Sequence, residues 1–283
     1  MPITLTAINR FPVKSCRGET LQSATVEPWG LAGDRRWMLV GEDGEALTAR
    51  EYPRLVLAVP RLGADGSLDL TSPDVPAMHV DVPGPPCLVP VSVFGTPVLA
   101  AVATPDAHAW FSKITGVPSR LVYLDDPKRR HPNPHFARSD DLVSLADGFP
   151  LLLTAQESLD QVNDWILAGP RAEEGPLPMI RFRPSVVVRG AAAFAEDGWR
   201  RVRIGTAQFR AVNGCARCVL TTVHPQTAVK GKEPIATLAR YRRWDGATWF
   251  GMNLIPDAPG AMIRVGDAVE VLEAVEAPDG PPR

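Results

Sequence analysis

Proline is the residue that most constrains how this chain can fold. It occurs 29 times in 283 residues, about twice the usual frequency of ~5%. Because proline lacks a backbone N–H and fixes φ, it interrupts long helices and the interior of sheets. The chain is therefore expected to fold into short strands joined by turns rather than into a bundle of long helices.

The apolar residues follow the same pattern. Short apolar runs are separated by turn signals such as Asp43-Gly44 and Asp65-Gly66, and they come too close together for alternating βαβ units. The C-terminal part also consists mainly of strand-like runs, including residues 219–223. Three helices are expected: one over 105–114, one after a capping box at 154–157, and one opened by Glu233-Pro234. The pattern predicts a β-rich α+β fold.

Composition excludes several classes of protein. The net charge of −2 and a pI near 6.2 argue against a nucleic-acid binder. The longest charge-free stretch, residues 82–105, holds six prolines and cannot form a membrane-spanning helix. The first ten residues lack the pattern of a signal peptide, and four cysteines are too few for a disulfide framework. A cytoplasmic protein is expected, with a disordered tail from residue 276.

The most distinctive local feature is the C-x-x-C pair of Cys215 and Cys218. Zinc would need four ligands, and no second pair with suitable spacing is present. Dithiol exchange would need the pair to open a helix, whereas a strand-like run follows. A single thiolate beside Arg217 can ligate a soft metal or carry sulfur, and two buried structural cysteines are the fourth interpretation. The residues alone do not distinguish these four interpretations.

Arginine supplies 25 of the 30 basic residues, which reflects either genomic base composition or arginines that bind an anion bidentately. Candidate anion-binding residues are Lys14 and Ser15 after the first strand, and Arg35 in a glycine-rich loop. Arg181 and Arg183 would share one face if their segment is a strand. A solvated loop is the alternative for Lys14 and Ser15, and a surface turn with a routine salt bridge is the alternative for Arg35. The basic run at 128–131 is either a solvated charge run or a segment that shapes the substrate entrance or docks an acidic electron carrier.

Eight segments, taken together, resemble those of the MOSC proteins, a family named after the C-terminal domain of molybdenum cofactor sulfurase. The resemblance covers nearly the whole chain and is strongest to members with an N-terminal β-barrel extension, the type that includes the mitochondrial amidoxime-reducing component and its bacterial relatives. The segments are 11–18 (FPVKSCRG), 30–40 (GLAGDRRWMLV), 47–55 (LTAREYPRL), 147–153 (DGFPLLL), 182–184 (FRP), 215–223 (CARCVLTTV), 233–242 (EPIATLARYR) and 265–267 (VGD).

The resemblance implies a fold, a cofactor and a set of site residues. It implies an N-terminal β-barrel domain over 1–120 packed against a MOSC β-barrel over 121–283, with molybdenum cofactor in the cleft between them. Cys218 would be the metal ligand and the catalytic residue, and Cys215 only its neighbour. Ser185 stands where amidoxime-type relatives have Asn, which alters that polar contact. The cofactor-binding residues would be Lys14, Ser15, Arg35, Gly148, Phe149, Arg183, Ser185, Ala216 and Arg217.

The implied function is a molybdenum oxidoreductase that reduces small N-hydroxylated substrates such as amidoximes, hydroxylamines and N-hydroxylated bases. The chain shows no membrane anchor and no C-x4-C-x2-C run, so no iron–sulfur cluster is expected. Electrons would then come from a separate ferredoxin, flavodoxin or cytochrome, with no nucleic acid or membrane as partner. One alternative is a sulfur-transfer or cofactor-carrier protein that uses Cys218. Another is an anion-binding module without a metal.

Overall fold

The computed structural model describes residues 2–84 and 87–276; residues 277–283 of the tail expected to be disordered lie outside this part. Nineteen strands and three α-helices form within these described residues. The strands are β1 (Thr4–Arg10), β2 (Glu19–Leu21), β3 (Ser23–Glu27), β4 (Gly30–Leu31), β5 (Trp37–Val40), β6 (Val59–Leu62), β7 (Leu68–Ser72), β8 (Val75–Val80), β9 (Leu88–Val93), β10 (Thr96–Val102), β11 (Arg120–Tyr123), β12 (Leu151–Ala155), β13 (Val186–Arg189), β14 (Trp199–Ile204), β15 (Ala207–Ala216), β16 (Arg243–Trp244), β17 (Ala247–Pro256), β18 (Met262–Arg264) and β19 (Val269–Ala274). The α-helices are α1 (Pro105–Thr115), α2 (Gln156–Leu167) and α3 (Ile235–Tyr241). Short 3-10 helices span Pro53–Leu57, Pro127–Arg129, Ala172–Glu174, Met179–Phe182, Ala195–Gly198 and Val219–Thr222.

The largest sheet joins strands from both ends of the chain. Its order is β19-β14-β15-β17-β12-β13-β1-β2, and β16 adds to β17. Alternate residues on these strands, such as Leu5, Phe209 and Leu254, are buried in one apolar core. β1 and β2 precede residue 120, yet they share a sheet with strands that follow residue 150. The division of the chain at residue 120 stays a prediction.

Three smaller sheets complete the fold in the described part of the chain. Their orders are β5-β11-β10-β9, β6-β7-β8 and β18-β3-β4. Helix α1 packs against β8 and β11 and covers the core of the N-terminal half. The β-rich α+β class is confirmed, but no sheet closes into a barrel within the described residues.

Helix α1 is placed as the sequence predicts, because its ends carry clear signals. Thr104 accepts a hydrogen bond from the backbone N–H of Ala107, and Pro105 occupies the first turn. Gly116 ends the helix in the left-handed conformation with φ of 77°. Trp110 and Phe111 supply its buried face.

Two local predictions near α2 and α3 are wrong. The predicted capping box does not form, because Thr154 lies in β12 and Ala155 precedes the helix without a side-chain cap. Glu157 instead accepts a hydrogen bond from the backbone N–H of Gly190 at 2.9 Å. The strand predicted over 219–223 is a 3-10 helix, in which the Thr221 and Thr222 hydroxyls donate to backbone carbonyls three residues earlier.

The segment with Arg181 and Arg183 is not a strand either. It forms the 3-10 helix Met179–Phe182, and Arg183 follows in the left-handed region with φ of 54°. The alternation rule that would place both guanidiniums on one face of a strand therefore does not apply here.

No α-helix among residues 2–84 and 87–276 has the length and apolar character that a membrane crossing requires.

Gly251 in the middle of β17 is expected to tolerate no side chain. Its φ is +81°, and a Cβ would lie 2.8 Å from the carbonyl oxygen of Leu153. Gly251→Ala should lower the free energy of unfolding by roughly 2–4 kcal/mol, from left-handed strain and overpacking. Gly116→Ala is the matched control, because Gly116 has φ of +77° and open space around the position. It should cost only about 1 kcal/mol. Equal losses in urea unfolding would contradict the steric argument.

Candidate functional site

The candidate site is a cavity of about 460 Å³ lined by side chains from both halves of the chain. The N-terminal half contributes loops after β1, β4 and β5 and the tip of the β9–β10 hairpin. The C-terminal half contributes the loop before β12, the Met179–Phe182 helix, and parts of β15 and β17. Lining residues include Lys14, Ser15, Arg35, Arg50, Phe94, Asp147, Gly148, Phe149, Arg181, Arg183, Asn213, Cys215, Ala216, Arg217, Cys218, Leu220, Trp249 and Asn253.

The cavity brings together the residues predicted from the sequence, with one exception. Ser185 does not line it. Its side chain is fully buried, and its hydroxyl accepts a hydrogen bond from the backbone N–H of Leu152 at 3.2 Å. Ser185 therefore fixes the start of β12. It does not line the cavity, so the polar contact predicted for it does not occur there.

Backbone strain concentrates at the cavity. Ser15, Arg35, Phe94 and Arg183 all line it, and their φ angles are 69°, 47°, 51° and 54°. Residues other than glycine adopt this region at a cost and cluster at functional sites when they do. The strain supports this cavity as the candidate functional site.

Phe11 and Asp34 position two of the cationic side chains that line the cavity, Arg35 and Arg183. The fully buried Asp34 carboxylate accepts from the Phe11 backbone N–H at 2.7 Å and pairs with Arg35 Nη1 at 2.5 Å. The Phe11 ring lies 4.5 Å from the guanidinium carbon of Arg35 and 4.2 Å from that of Arg183. One aromatic ring thus supports two guanidiniums that would otherwise repel each other.

Asp147 links the two halves of the cavity. Its carboxylate pairs with the buried ammonium of Lys14 and with Arg50 Nη2, the second at 2.7 Å. Desolvation opposes ionisation of Asp147, but the charges of Lys14 and Arg50 outweigh it and hold the pKa well below its usual value. The carboxylate is therefore ionised at neutral pH.

Arg50 reaches from Asp147 to the cysteine pair. Its Nε donates to Cys218 Sγ at 3.1 Å. Both Arg50 and Asp147 lie inside segments that resemble the family, but the resemblance implies no role for either of them. The two contacts cross 168 and 97 residues of chain, and no local pattern signals them.

The basic run at 128–131 is partly structural. The Arg130 guanidinium is buried and donates to the backbone carbonyls of Ser144, Ala146 and Asp147. A solvated charge run is therefore the wrong interpretation for Arg130, which anchors the loop that carries Asp147.

Cys215, the first cysteine of the pair, has different partners. Arg217 Nη1 donates to Cys215 Sγ at 2.8 Å, and its Nη2 donates to the Phe182 carbonyl at 2.6 Å. Burial raises the pKa of Cys215 against the opposing charge of Arg217. No cluster of three or more His, Cys, Asp or Glu side chains suited to a metal occurs in the described ranges, so zinc has no ligand set there.

Comparisons with known proteins find matches to both halves of the chain. Residues 3–118 match the MOSC N-terminal beta barrel domain, and residues 140–270 match the MOSC domain. Mitochondrial amidoxime-reducing component 1 of Xenopus laevis is 32% identical over 92% of this chain and 79% of its own length. The Homo sapiens protein of the same name is 30% identical over 93% and 81%. The chain belongs to the MOSC domain family. Molybdenum cofactor sulfurase of Oryza sativa subsp. japonica is 33% identical over 89% of this MOSC protein and 32% of its own length.

The cavity of this MOSC protein is strongly cationic. Six cationic side chains line it (Lys14, Arg35, Arg50, Arg181, Arg183 and Arg217), against the single carboxylate of Asp147. Among these lining arginines, three buried guanidinium nitrogens, Arg181 Nε, Arg183 Nη2 and Arg217 Nε, find no hydrogen-bond partner in the part of the chain that the structure describes. Buried donors are normally satisfied, so the cavity is suited to an anionic ligand with several acceptor oxygens.

Anion binding by this MOSC protein should weaken above about pH 8. Burial lowers the pKa of Lys14 to about 8, against the opposing charge of Asp147. Below this pH Lys14 carries a positive charge. Above it Lys14 becomes neutral, and the cavity loses one positive charge. Because a bound anion raises the pKa of Lys14, the loss is expected at or above pH 8.

Sulfate is a suitable probe because its charge is constant over this range. Its affinity for the cofactor-free protein, measured by calorimetry, should fall several-fold from about pH 7 to about pH 9.5. Lys14→Met should bind sulfate more weakly at the lower pH and lack this step. The same step in Lys14→Met would show that another group causes it.

Proposed function

We propose that this chain binds molybdenum cofactor in the cavity and reduces N-hydroxylated compounds. The observation that carries the proposal is the position of Cys218. Its sulfur accepts a hydrogen bond from Arg50 in a cavity lined by six cationic side chains. The family and the printed names of two relatives, amidoxime-reducing components, support it.

The residues present fit such a cofactor, which combines a soft metal with a phosphate-bearing pterin. A cysteine thiolate is a ligand that soft metals favour, and Cys218 would supply it. Arg183 and Arg217 have buried donors without partners in the described part of the chain, as a phosphate-bearing ligand requires. The proposed binding set is Lys14, Ser15, Arg35, Gly148, Phe149, Arg183, Ala216 and Arg217, without Ser185.

When bound, the cofactor supplies two-electron chemistry. In the overall reaction the N–O bond of the substrate breaks, and two electrons and two protons convert the N–OH group into N–H and water. The chain's own residues bind the cofactor and the substrate and orient the groups around them. Arg50, held by Asp147, fixes the direction of the Cys218 sulfur, and Arg181 donates to the Thr222 carbonyl at 3.0 Å to hold the helix after Cys218.

The same proposal covers the source of the electrons and the cellular location of the protein. A separate donor protein of ferredoxin, flavodoxin or cytochrome type would deliver the electrons, and the substrate would be a small molecule. A cytoplasmic location stays a prediction, since the names of several relatives place those proteins in mitochondria.

A sulfur-transfer or cofactor-carrier role is the second candidate. One relative is named a molybdenum cofactor sulfurase, and Cys215 and Cys218 line the same cavity. In this role the Cys218 thiolate would attack the outer sulfur of a persulfide on a donor protein, so that the S–S bond of the donor breaks, the donor leaves as a thiolate and Cys218 carries the persulfide. Intact-protein mass spectrometry would show the added sulfur atom, and a thiol reductant would remove it.

The proposal predicts one molybdenum per chain when the protein is made in a host that synthesises the cofactor. Cys218→Ala should lose the metal and the reduction of amidoximes by a chemically reduced viologen dye, because the metal loses its protein ligand. Cys215→Ala should lose less. Cys87→Ala is the control, because Cys87 is exposed and does not line the cavity.

Elemental analysis and the dye assay separate the outcomes. Molybdenum and activity retained in Cys218→Ala would overturn the ligand assignment. A wild-type protein without molybdenum, but with a reducible sulfur on Cys218, would favour the sulfur-transfer role instead.

A further inference from the structure

Phe94 occupies an unusual position for a phenylalanine. It forms the two-residue tip of the β9–β10 hairpin with Gly95, between the paired residues Val93 and Thr96. The φ angles of Phe94 and Gly95 are 51° and 78°, and such a turn favours Asn or Asp at the first position. For a bulky side chain the left-handed conformation costs roughly 1–2 kcal/mol.

Burial of the Phe94 side chain does not offset the cost of its left-handed conformation. The Phe94 side chain is 48% exposed, and a Cβ at the neighbouring Gly95 would meet nothing within 4 Å. Gly95 therefore faces open space, and about half of Phe94 is exposed. The ring is held over two cavity cations, 4.4 Å from the guanidinium carbon of Arg50 and 5.0 Å from Lys14 Nζ.

These contacts place an exposed aromatic ring beside the residue that holds Cys218. Arg50 lies under the Phe94 ring and donates to the Cys218 sulfur. Phe94 and Cys218 therefore both contact the Arg50 guanidinium, and both line the same cavity.

The cavity lining has an apolar part as well as a cationic one. Phe94, Phe149, Leu220 and Trp249 line it together with the six cations. Phe149 is braced from outside by an edge contact with Phe136, at 6.1 Å between ring centroids. The anionic cofactor would occupy the cationic part, which leaves the aromatic side chains for the substrate.

We infer that Phe94 contacts the substrate and favours N-hydroxylated compounds whose reacting group is attached to a flat aromatic ring. The inference rests on the proposed function and names the substrate class that this site prefers. An aromatic pair adds about 0.5–1.5 kcal/mol beyond buried area, and a small aliphatic substrate cannot form one.

The test compares two amidoximes that differ only in the attached group, benzamidoxime and acetamidoxime, with a reduced viologen dye as electron donor. Phe94→Asn removes the ring while giving the turn a residue it prefers, so folding is not at risk. The value of kcat/KM for benzamidoxime should fall about tenfold, which corresponds to about 1.4 kcal/mol. The value for acetamidoxime should change less than about twofold. Phe94→Tyr keeps the ring and should restore the preference.

A second readout does not depend on turnover. Benzamidoxime binding to the oxidised, cofactor-loaded protein, measured by calorimetry without a donor, should weaken in Phe94→Asn and recover in Phe94→Tyr. Thermal unfolding and molybdenum content should show that Phe94→Asn is folded and loaded.

The outcomes distinguish this inference from the proposed function. Equal losses for both amidoximes, or an unchanged ratio, would show that Phe94 only covers Arg50 and Lys14 and would overturn the inference. If the loaded wild-type protein reduces neither amidoxime, the proposed reaction fails. Unchanged benzamidoxime binding in Phe94→Asn would then reject the role of Phe94 as well.

Discussion

The carboxylate of Asp147 is the interaction on which the site depends. It pairs with Lys14 and Arg50, which come from two separate loops of the N-terminal half. Arg50 in turn contacts the sulfur of Cys218. Two positive charges repel when they lie close, and in a partly desolvated cavity this repulsion is strong. A single ionised carboxylate between them lets both line the same cavity, where Arg50 also contacts the Cys218 sulfur.

Around this interaction, loops carry the charges and strands provide rigidity. Lys14, Arg35 and Arg183 lie in irregular segments, two of them with positive φ. Cys215 and Trp249, by contrast, lie on β15 and β17, which pair along much of their length in the largest sheet. Loops can adopt the strained conformations that aim side chains into a cavity, provided that a rigid scaffold fixes their ends. This arrangement explains why the strained residues of the cavity do not interrupt the sheet.

The sequence predicts what depends on neighbouring residues and misses what depends on distant ones. Thr104, Pro105 and Gly116 are local signals, and α1 lies where they place it. Thr154 and the run after Cys218 carry local signals too, but tertiary hydrogen bonds and threonine hydroxyls decide their structure. Nine of the cavity residues, including Lys14 and Cys218, follow from the family resemblance. The roles of Arg50 and Arg130 do not, because their partners lie far away in sequence or are backbone carbonyls.

The two kinds of lining in one cavity also set a limit on selectivity. Cations spaced around the cavity hold an anionic group at one place through charge-assisted hydrogen bonds, which depend strongly on geometry. Aromatic side chains interact over a broader range of positions and mainly exclude water. A site built in this way fixes the group that carries out the reaction and accepts variation in the rest of the substrate. Phe94 lies at the boundary, with the cations beneath its ring and solvent around the remainder. Under the proposed function, the shape of the attached group would be sensed at the hairpin tip, while the strands and loops around the cavity would position the reacting atoms.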